Sequence, residues 1–470
     1  MKCSALSSLI VLLLAGCAIG PDYERPSVTS PETWRSGTAL PTSEKPEELA
    51  NLAWWKQLED PVLDALVAEA LANNRDLKIA AARVDEAAGV LGTTRAQLFP
   101  QFGANLGASR AQASNAGITP IPVTVDRVNN QYSAALNVGW EIDLFGRIRR
   151  ASEASRADLL ASEESRRGIA LSLAATVANS YISLRDLDNE LEIARQTLKT
   201  REESLRIFDL RYKGGVVSEM EVAQVRSEME TARIAVTNLE LSVAQQENAL
   251  STVLGRLPGP ITRGKTLASM GMPLPPVSLP SSILERRPDI RLSEQNLISN
   301  NARIGVAKAA YFPTVSLTGL LGSSSVAFSN LFTGPAKVWS YGADLTMPIF
   351  TAGAITGQVK SAEARQVQAL EQYRKAVENA FREVDDALIG GTKSREAVDS
   401  RIRQVEALSI YARSARLRYE GGYSSFLEVL DAERSLFQAQ IYESQARGQA
   451  LIAVTTLYKV LGGGWQAASE

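Results

Sequence analysis

The sequence contains no histidine and only two cysteines, Cys3 and Cys17, in 470 residues. Without histidine, the chain lacks both the commonest general base and the commonest metal ligand in proteins. Cys3 lies within a pattern typical of a secretion signal, so the mature chain keeps one cysteine and can form no internal disulfide. Residue counts alone therefore exclude a zinc cluster and a cysteine–histidine nucleophile.

The chain also lacks a large net charge, since its formal charge at pH 7 is −2. The sequence therefore lacks the excess of lysine and arginine that is typical of proteins that bind nucleic acid. We find neither a nucleophile paired with a base nor a glycine-rich phosphate loop. The sequence therefore predicts a protein that is not an enzyme, binds no nucleic acid and uses no metal or cofactor.

Residues 1–16 have the pattern of a signal peptide. Lys2 precedes an apolar run from Leu9 to Leu14, which is too short to serve as a permanent membrane helix. The run leads into Leu14-Ala15-Gly16-Cys17, which resembles the lipobox of bacterial lipoproteins, where cleavage leaves an acylated N-terminal cysteine. This predicts a covalent lipid on Cys17, the alternative being an ordinary signal peptide with a chance cysteine.

The chain repeats itself. Residues 210–222 and 417–429 each carry a Leu-Arg-Tyr motif, a Gly-Gly pair and a later Glu, at an offset of 207. Residues 92–100 and 305–313 share Gly-x-x-x-Ala-x-x-Phe-Pro at an offset of 213. We therefore predict an internal duplication in which each structural unit is built twice.

Each copy contains a predicted helical hairpin. Glycine readily adopts the left-handed backbone that ends helices, so the turns are placed at Gly214-Gly215 and Gly421-Gly422. Ser-x-x-Glu follows both turns and predicts a capping box at the start of the next helix. The capping residues are Ser218 with Glu221 in the first copy and Ser425 with Glu428 in the second.

Four segments alternate apolar and polar residues, at about 101–110, 131–143, 314–323 and 338–349. Strict alternation at period two indicates strands with one apolar and one polar face. A soluble sandwich is one interpretation. Strands of about 9–11 residues with aromatic residues near their ends favour a membrane crossing instead. Because four strands cannot close a membrane barrel, the barrel must be shared between two or three copies.

Apolar residues spaced three and four apart predict long helices at about 146–213, 218–255, 351–420 and 425–461. The longer pair, with about 65 residues each, would reach roughly 100 Å, and their heptad spacing favours coiled-coil partners. The apolar stripe of the first breaks at Arg201. Gly390-Gly391 predicts an interruption in the second, because each glycine costs about 1 kcal/mol relative to alanine.

These elements divide the chain into segments. A proline-rich, lipidated arm covers 17–59, and Asp60-Pro61 begins the first helix of a repeat at 60–257. A linker at 258–280 leads to the second repeat at 281–462 and a short tail at 463–470.

Several further motifs stand out beside the lipobox: Trp54-Trp55 and the segments 140–147, 286–291, 348–350 and 457–465. Together these motifs resemble the lipoprotein branch of the TolC-like outer membrane factors. This resemblance implies an α+β membrane protein that is a homotrimer, with a shared 12-stranded β-barrel in the outer membrane and an α-helical barrel across the periplasm. It also implies an equatorial belt of termini and linkers.

The resemblance implies a passive exit duct for small toxic compounds, anchored by lipid in the outer membrane and extending into the periplasm. Its expected partners are a periplasmic adaptor and an inner-membrane efflux transporter. One alternative is the duct of a type I protein secretion system, against which the lipobox and the Gly-Gly-Gly-Trp ending argue. Another is a non-conducting structural lipoprotein of the envelope, which would need no shared barrel.

The same resemblance places a gate at the second hairpin. Carried over by position, Leu427 and Asp431 form an apolar and an acidic constriction, and Glu428, Arg434 and Tyr419 hold the closed state. Glu221 is expected at the first hairpin as a capping residue. Ser424 stands where some relatives have arginine, so the closing contacts must differ in detail. Three strand carboxylates are expected to make the lumen acidic near the barrel base, or only to mark where the strands leave the bilayer: Glu141, Asp143 and Asp344.

Overall fold

The computed structural model describes residues 18–28, 31, 33–35, 53–114, 126–273 and 283–463. The expected signal peptide, Cys17, parts of the arm and linker, and the tail beyond 463 lie outside these described residues. The chain divides into two compact units. The first unit comprises residues 1–27, 83–162 and 293–373, and the second comprises 28–82, 163–292 and 374–470.

The described helices and strands follow one another in an order that repeats. After a 3₁₀ turn at Trp54–Leu58 come α1 (Pro61–Asn73), α2 (Arg75–Ala96), β1 (Gln101–Gln112), β2 (Val128–Ile142), α3 (Arg147–Lys213) and α4 (Glu219–Val253). The second repeat contains α5 (Ile283–Arg286), α6 (Pro288–Ala309), β3 (Thr314–Ser325), β4 (Lys337–Thr346), α7 (Ala354–Glu420) and α8 (Phe426–Val460). Among the helices of these described segments, none combines the length and apolarity that a membrane crossing requires.

The strands of the first unit form one antiparallel sheet in the order β1-β2-β3-β4. Its register places Phe102 opposite Val138, Val138 opposite Gly319 and Gly319 opposite Tyr341. Because alternate residues share a face, one face collects most of the large apolar residues of the four strands. The opposite face carries polar residues, including Asn105, Asn137, Ser316, Thr318 and Asp344.

Two strand ends differ from the prediction. β4 ends at Thr346 rather than at 349, because Pro348 has no N–H to add to the ladder and restricts the residue before it. β2 begins at Val128 rather than near 131, because β1 continues to Gln112 and pairs with it there.

The first described residues of the chain pack against the start of α3 in the first unit. Ile19 donates its N–H to the Phe145 carbonyl at 3.2 Å. The buried Arg150 side chain donates to the Ile19 carbonyl at 3.3 Å and to Asp22 at 2.7 Å. Gly146 permits this approach, since a Cβ there would lie 2.7 Å from the Cα of Ala18. Residues 18–22, at the start of the described chain, are therefore held against the first unit.

The second unit has a core around two buried aromatic residues. The Trp54 ring stacks on Tyr458 with a centroid separation of 5.6 Å. Asp60 caps α1 by accepting from Val62 N–H at 2.9 Å, and its other oxygen accepts from the Tyr181 hydroxyl at 3.0 Å. The predicted helix start at Asp60-Pro61 is thus confirmed. The same core contains Leu63, Val67, Ile182, Leu250, Leu254 and Leu451.

The motif at residues 286–291 has a structural role in the second unit. Arg287 is buried and donates to Asp289 at 2.7 Å and to Glu383 at 2.6 Å. It also donates to the carbonyl of Val460 at 3.2 Å. One guanidinium therefore ties the start of α6 to α7 and to the last turn of α8.

The interruption predicted at Gly390-Gly391 is wrong, because α7 continues unbroken from Ala354 to Glu420. A Cβ added at either glycine would meet no atom within 4 Å, so no packing contact forces a kink there. Helix propagation is cooperative, and the turns on both sides of the pair absorb its propensity cost.

Candidate functional site

The sheet of the first unit exposes its apolar face. Phe102 and Leu106 on β1 are 81% and 83% exposed, and Tyr341 on β4 is 82% exposed. Leu136, Leu321, Trp339 and Leu345 are also exposed on this face. Apolar side chains in such a contiguous array mark a surface that meets lipid or another chain rather than water.

Two of the three strand carboxylates have local roles. Glu141 accepts three hydrogen bonds from Arg147, at 3.1, 2.9 and 2.8 Å. Asp143 accepts from the backbone N–H groups of Ile148 and Arg149 at 3.1 and 2.8 Å, so it caps the start of α3. Asp344 lies on the polar face, opposite Ser316. Glu141 and Asp143 therefore connect the end of β2 to the start of α3.

The second unit contains both hairpin turns, and each has the geometry expected of a glycine stop. Gly215 and Gly422 have φ values of +74° and +77°. The residue after each glycine completes the turn with a backbone hydrogen bond. The Val216 N–H donates to the Arg211 carbonyl, and the Tyr423 N–H donates to the Arg418 carbonyl. This is the Schellman pattern that ends an α-helix.

Only one of the two predicted capping boxes is present. Ser218 Oγ accepts from the Glu221 N–H at 3.3 Å, and the Glu221 carboxylate accepts from the Ser218 N–H at 2.8 Å. Ser425 precedes α8 as its N-cap residue but makes no side-chain capping bond, so the second prediction is wrong. Glu428 instead lies 3.8 Å from Arg418, because an arginine across the turn competes for its carboxylate.

An aromatic cluster joins the two hairpins. The ring of Phe208 on α3 lies 4.3 Å from Phe426 and 6.3 Å from Tyr419, measured between centroids. Arg211 donates to the Tyr419 hydroxyl at 3.2 Å. Tyr419 therefore contacts the first hairpin through both its ring and its hydroxyl.

Leu427 and Asp431 lie one turn apart on α8, so they share a face of that helix. Leu427 is 64% exposed, and Met220, its counterpart in the first hairpin, is 67% exposed. The Asp431 carboxylate accepts from the Tyr411 hydroxyl at 3.5 Å. An exposed leucine and an exposed carboxylate thus lie together near the tip of the second hairpin.

Arg434 forms an ion pair with Glu228 of α4. The same carboxylate lies 3.1 Å from Arg201 of α3, and Arg201 also donates to the Glu228 carbonyl at 2.6 Å. Burial lowers the pKa of Arg201, and Glu228 opposes that shift. Sequence reasoning missed the part played by Glu228, although the break in the apolar stripe at Arg201 was a signal that a polar contact lay there.

No group of three or more potential metal ligands occurs in the described parts of the chain. A sheet with an exposed apolar face and paired long helical hairpins define the class of the TolC-like outer membrane channels.

Comparison with known proteins agrees with this class. The family model described as outer membrane efflux protein matches residues 66–256 and 279–463. The probable efflux pump outer membrane protein TtgC of Pseudomonas putida is 35% identical over 473 residues, which cover 98% of this chain and 96% of that protein. The probable outer membrane lipoprotein SilC of Salmonella typhimurium is 34% identical over 466 residues, 99% of each chain.

A solved structure is similar over nearly the whole chain. The open state of the MtrE outer membrane channel of Neisseria gonorrhoeae superposes with a TM-score of 0.84 at 32% identity, covering 96% of this chain and 99% of that one. The chain belongs to the outer membrane efflux protein family. It lies in the outer membrane and is the exit channel of an efflux pump.

Proposed function

We propose that three copies of the chain form one passive duct with a twelve-stranded barrel. The observation that carries this proposal is the four-stranded sheet, which has an exposed apolar face and whose edge strands are β1 and β4. In lipid, an unpaired strand edge costs several kcal/mol for each unsatisfied backbone group. Pairing β4 of one copy with β1 of the next removes every edge when the ring closes.

The long helices supply the periplasmic part of the duct. α3 with α4 and α7 with α8 form two hairpins in each copy, so three copies bring twelve helical segments around one axis. Substances would pass along this axis without chemical change, which agrees with a family of channels rather than enzymes.

The gate is placed at the second hairpin. In a trimer, three copies of Leu427 and Asp431 converge on the axis as an apolar plug and an acidic ring. The contacts of Tyr419 with Phe208 and Arg211, and of Arg434 with Glu228, would hold the second hairpin against the first in the closed state. Glu428 would contribute through Arg418, and Glu221 would stiffen the first hairpin through its capping box.

A lipid on Cys17 would anchor each copy in the membrane. The next residue, Ala18, packs against Gly146 just after the end of β2. An inner-membrane transporter and a periplasmic adaptor would complete the pump, because an outer membrane duct has no energy source of its own.

Reconstitution of the purified protein in a planar bilayer tests the proposal. We expect steady ion conductance from a species whose native mass in detergent is three times that of the chain. A structural envelope lipoprotein would give no conductance, and a stable folded monomer would contradict the shared barrel.

A further inference from the structure

Two carboxyl groups on one face of α3 contact α8. Asp186 and Glu190 are one helical turn apart, so their side chains are neighbours. From α8, the Ser444 hydroxyl donates to Asp186 at 2.5 Å and Gln445 is hydrogen-bonded to Glu190. Glu190 is only 7% exposed. These four residues form what we call the carboxyl seam.

The helix backbone of α8 is shaped around this seam. A Cβ at Gly448 would lie 3.0 Å from Asp186 Oδ2 and 3.2 Å from its carboxyl carbon, so a glycine is needed for the carboxyl to fit. Asn189 donates to Ser444 Oγ at 2.8 Å. The serine therefore accepts from Asn189 and gives its single proton to Asp186, which favours the ionised form of Asp186.

The seam has no balancing cation. In the part of the chain that the structure describes, neither Asp186 nor Glu190 forms an ion pair with lysine or arginine. The arginines on the elements around it are engaged with other groups: Arg185 with Asp188, Arg195 with Glu240, Arg263 with Asp188 and Glu247, Arg447 with Glu443, and Arg401 with the Tyr442 ring.

Two like charges at this spacing in a buried contact are costly to ionise together. Burial raises the pKa of Glu190 to about 7, and the neighbouring Asp186 adds to the rise. Burial also raises the pKa of Asp186, but the Ser444 hydroxyl works in the opposite direction. Glu190 is therefore the group that holds a proton near neutral pH.

We propose that the carboxyl seam is a proton-controlled contact between α3 and α8, which packs closely while Glu190 is protonated and loosens when both carboxyls are ionised. Gln445 suits this role, because an amide carries both a donor and an acceptor and can serve either form of Glu190 by turning over. On ionisation the proton leaves to water, and two like charges remain on one helix face opposite a glycine and a serine.

The direction of the effect follows from linkage. An ordinary glutamate has a pKa of 4.5, and in the folded protein that of Glu190 is about 7. The folded state therefore binds the proton more tightly, and this contribution to stability is complete below pH 4.5. It is lost as the pH rises to about 7, above which the loss is constant.

The seam also bears on the duct, and this part rests on the proposed function. α8 begins at Phe426 and carries Leu427 and Asp431 in its first turns. A looser contact with α3 at Ser444 would give the preceding part of α8 more freedom. Periplasmic pH would then influence how firmly the second hairpin is held.

Thermal unfolding of the full-length assembly in detergent, at pH 5 and pH 8, tests the seam. The variant Glu190→Gln imitates the protonated form, and Glu192→Gln on the exposed side of the same helix is its control. We expect Glu190→Gln to match the wild type at pH 5 and to melt at a higher temperature at pH 8. The control should follow the wild type at both pH values.

Infrared titration of the same samples supplies a readout that does not depend on stability. The wild type should show the band of a protonated carboxylic acid that disappears near pH 7, absent in Glu190→Gln and shifted to lower pH in Asp186→Asn. Equal pH dependence of melting in wild type and Glu190→Gln, or an unchanged band in that variant, would overturn the seam. A bilayer silent at every pH would instead contradict the duct and leave the seam intact.

Discussion

Arg434 of α8 is ion-paired with Glu228 of α4, 206 residues earlier in the chain. Arg201 of α3 holds the same carboxylate at 3.1 Å. The buried Arg201 stays within the first hairpin, whereas Arg434 is 63% exposed and belongs to the second. The Glu228 carboxylate therefore pairs with one arginine from each hairpin and connects the two.

Removing Arg434 should weaken the connection between the hairpins without harming the fold. Glu228 keeps Arg201 as its partner in Arg434→Ala, and an exposed ion pair is worth about 0–1 kcal/mol. We expect almost unchanged unfolding and higher bilayer conductance. Arg206→Ala is the control, because Arg206 pairs with Glu203 inside its own helix. Equal conductance in both variants would show that Arg434 does not hold the gate.

The double variant Leu427→Ala with Asp431→Ala should open the resting duct. It removes the proposed apolar plug and acidic ring while alanine preserves the helix. The duplication supplies a matched control, since Met220 and Gln224 occupy the equivalent positions of the first hairpin. Their double alanine variant should conduct like the wild type.

Divalent cations offer a second measurement of the acidic ring. Three converging carboxylates attract them, so they should block the wild type more strongly than Asp431→Ala. If divalent block were the same in both, Asp431 would not line the conducting path.

Two glycine-to-alanine changes should alter the free energy of unfolding in opposite directions. Gly422 has a φ of +77°, and an alanine there pays about 1–2 kcal/mol for the left-handed backbone. Gly390 lies inside α7 with free space around its missing Cβ, so alanine should stabilise by about 0.5–1 kcal/mol. Denaturant unfolding of both variants measures the contrast, and destabilisation by Gly390→Ala would mean that α7 needs flexibility at that height.

Removing the N-cap serine should reduce stability more in the first hairpin than in the second. Ser218→Ala breaks a complete capping box and should cost about 1 kcal/mol. Ser425→Ala removes a hydroxyl that makes no capping bond and should cost clearly less. Parallel unfolding curves of the two variants measure the difference, and equal losses would show that Ser425 also caps α8 in solution.

Replacement of Cys17 by serine should remove the lipid but not the outer membrane location. Three sheets bury far more apolar surface in the bilayer than one set of acyl chains per copy. Labelling with a radioactive fatty acid should mark the wild type only, and membrane fractionation should find both forms in the outer membrane. A serine form absent from that fraction would disprove the barrel as an independent anchor.

Local patterns in the sequence predicted most of the fold. Alternation revealed the strands because most of their large apolar residues share one sheet face. The pairs Gly214-Gly215 and Gly421-Gly422 revealed the turns because each turn needs a positive φ. The same local reasoning failed where two nearby signals compete. Pro348 ended β4 before the alternation ended, and Arg418 drew Glu428 away from its cap.

The contacts of the candidate gate were harder to predict. The position of Arg434 came from resemblance, but its partner Glu228 lies on another helix and no local spacing points to it. The carboxyl seam was missed for the same reason. Asp186 and Glu190 look like ordinary surface residues of a charged helix until α8 covers them with Ser444 and Gln445.

The unequal capping of the two hairpins has an evolutionary consequence. Duplication gave one gene two versions of the same turn, and only the version with Ser218 and Glu221 closes upon itself. The other contacts the first hairpin through Tyr419, whose ring packs near Phe208 and whose hydroxyl accepts from Arg211. Mutations in neighbouring residues can therefore change how the second turn is held, whereas the first turn is stabilised by its own residues. The two copies of one ancestral motif can thus evolve different mobility.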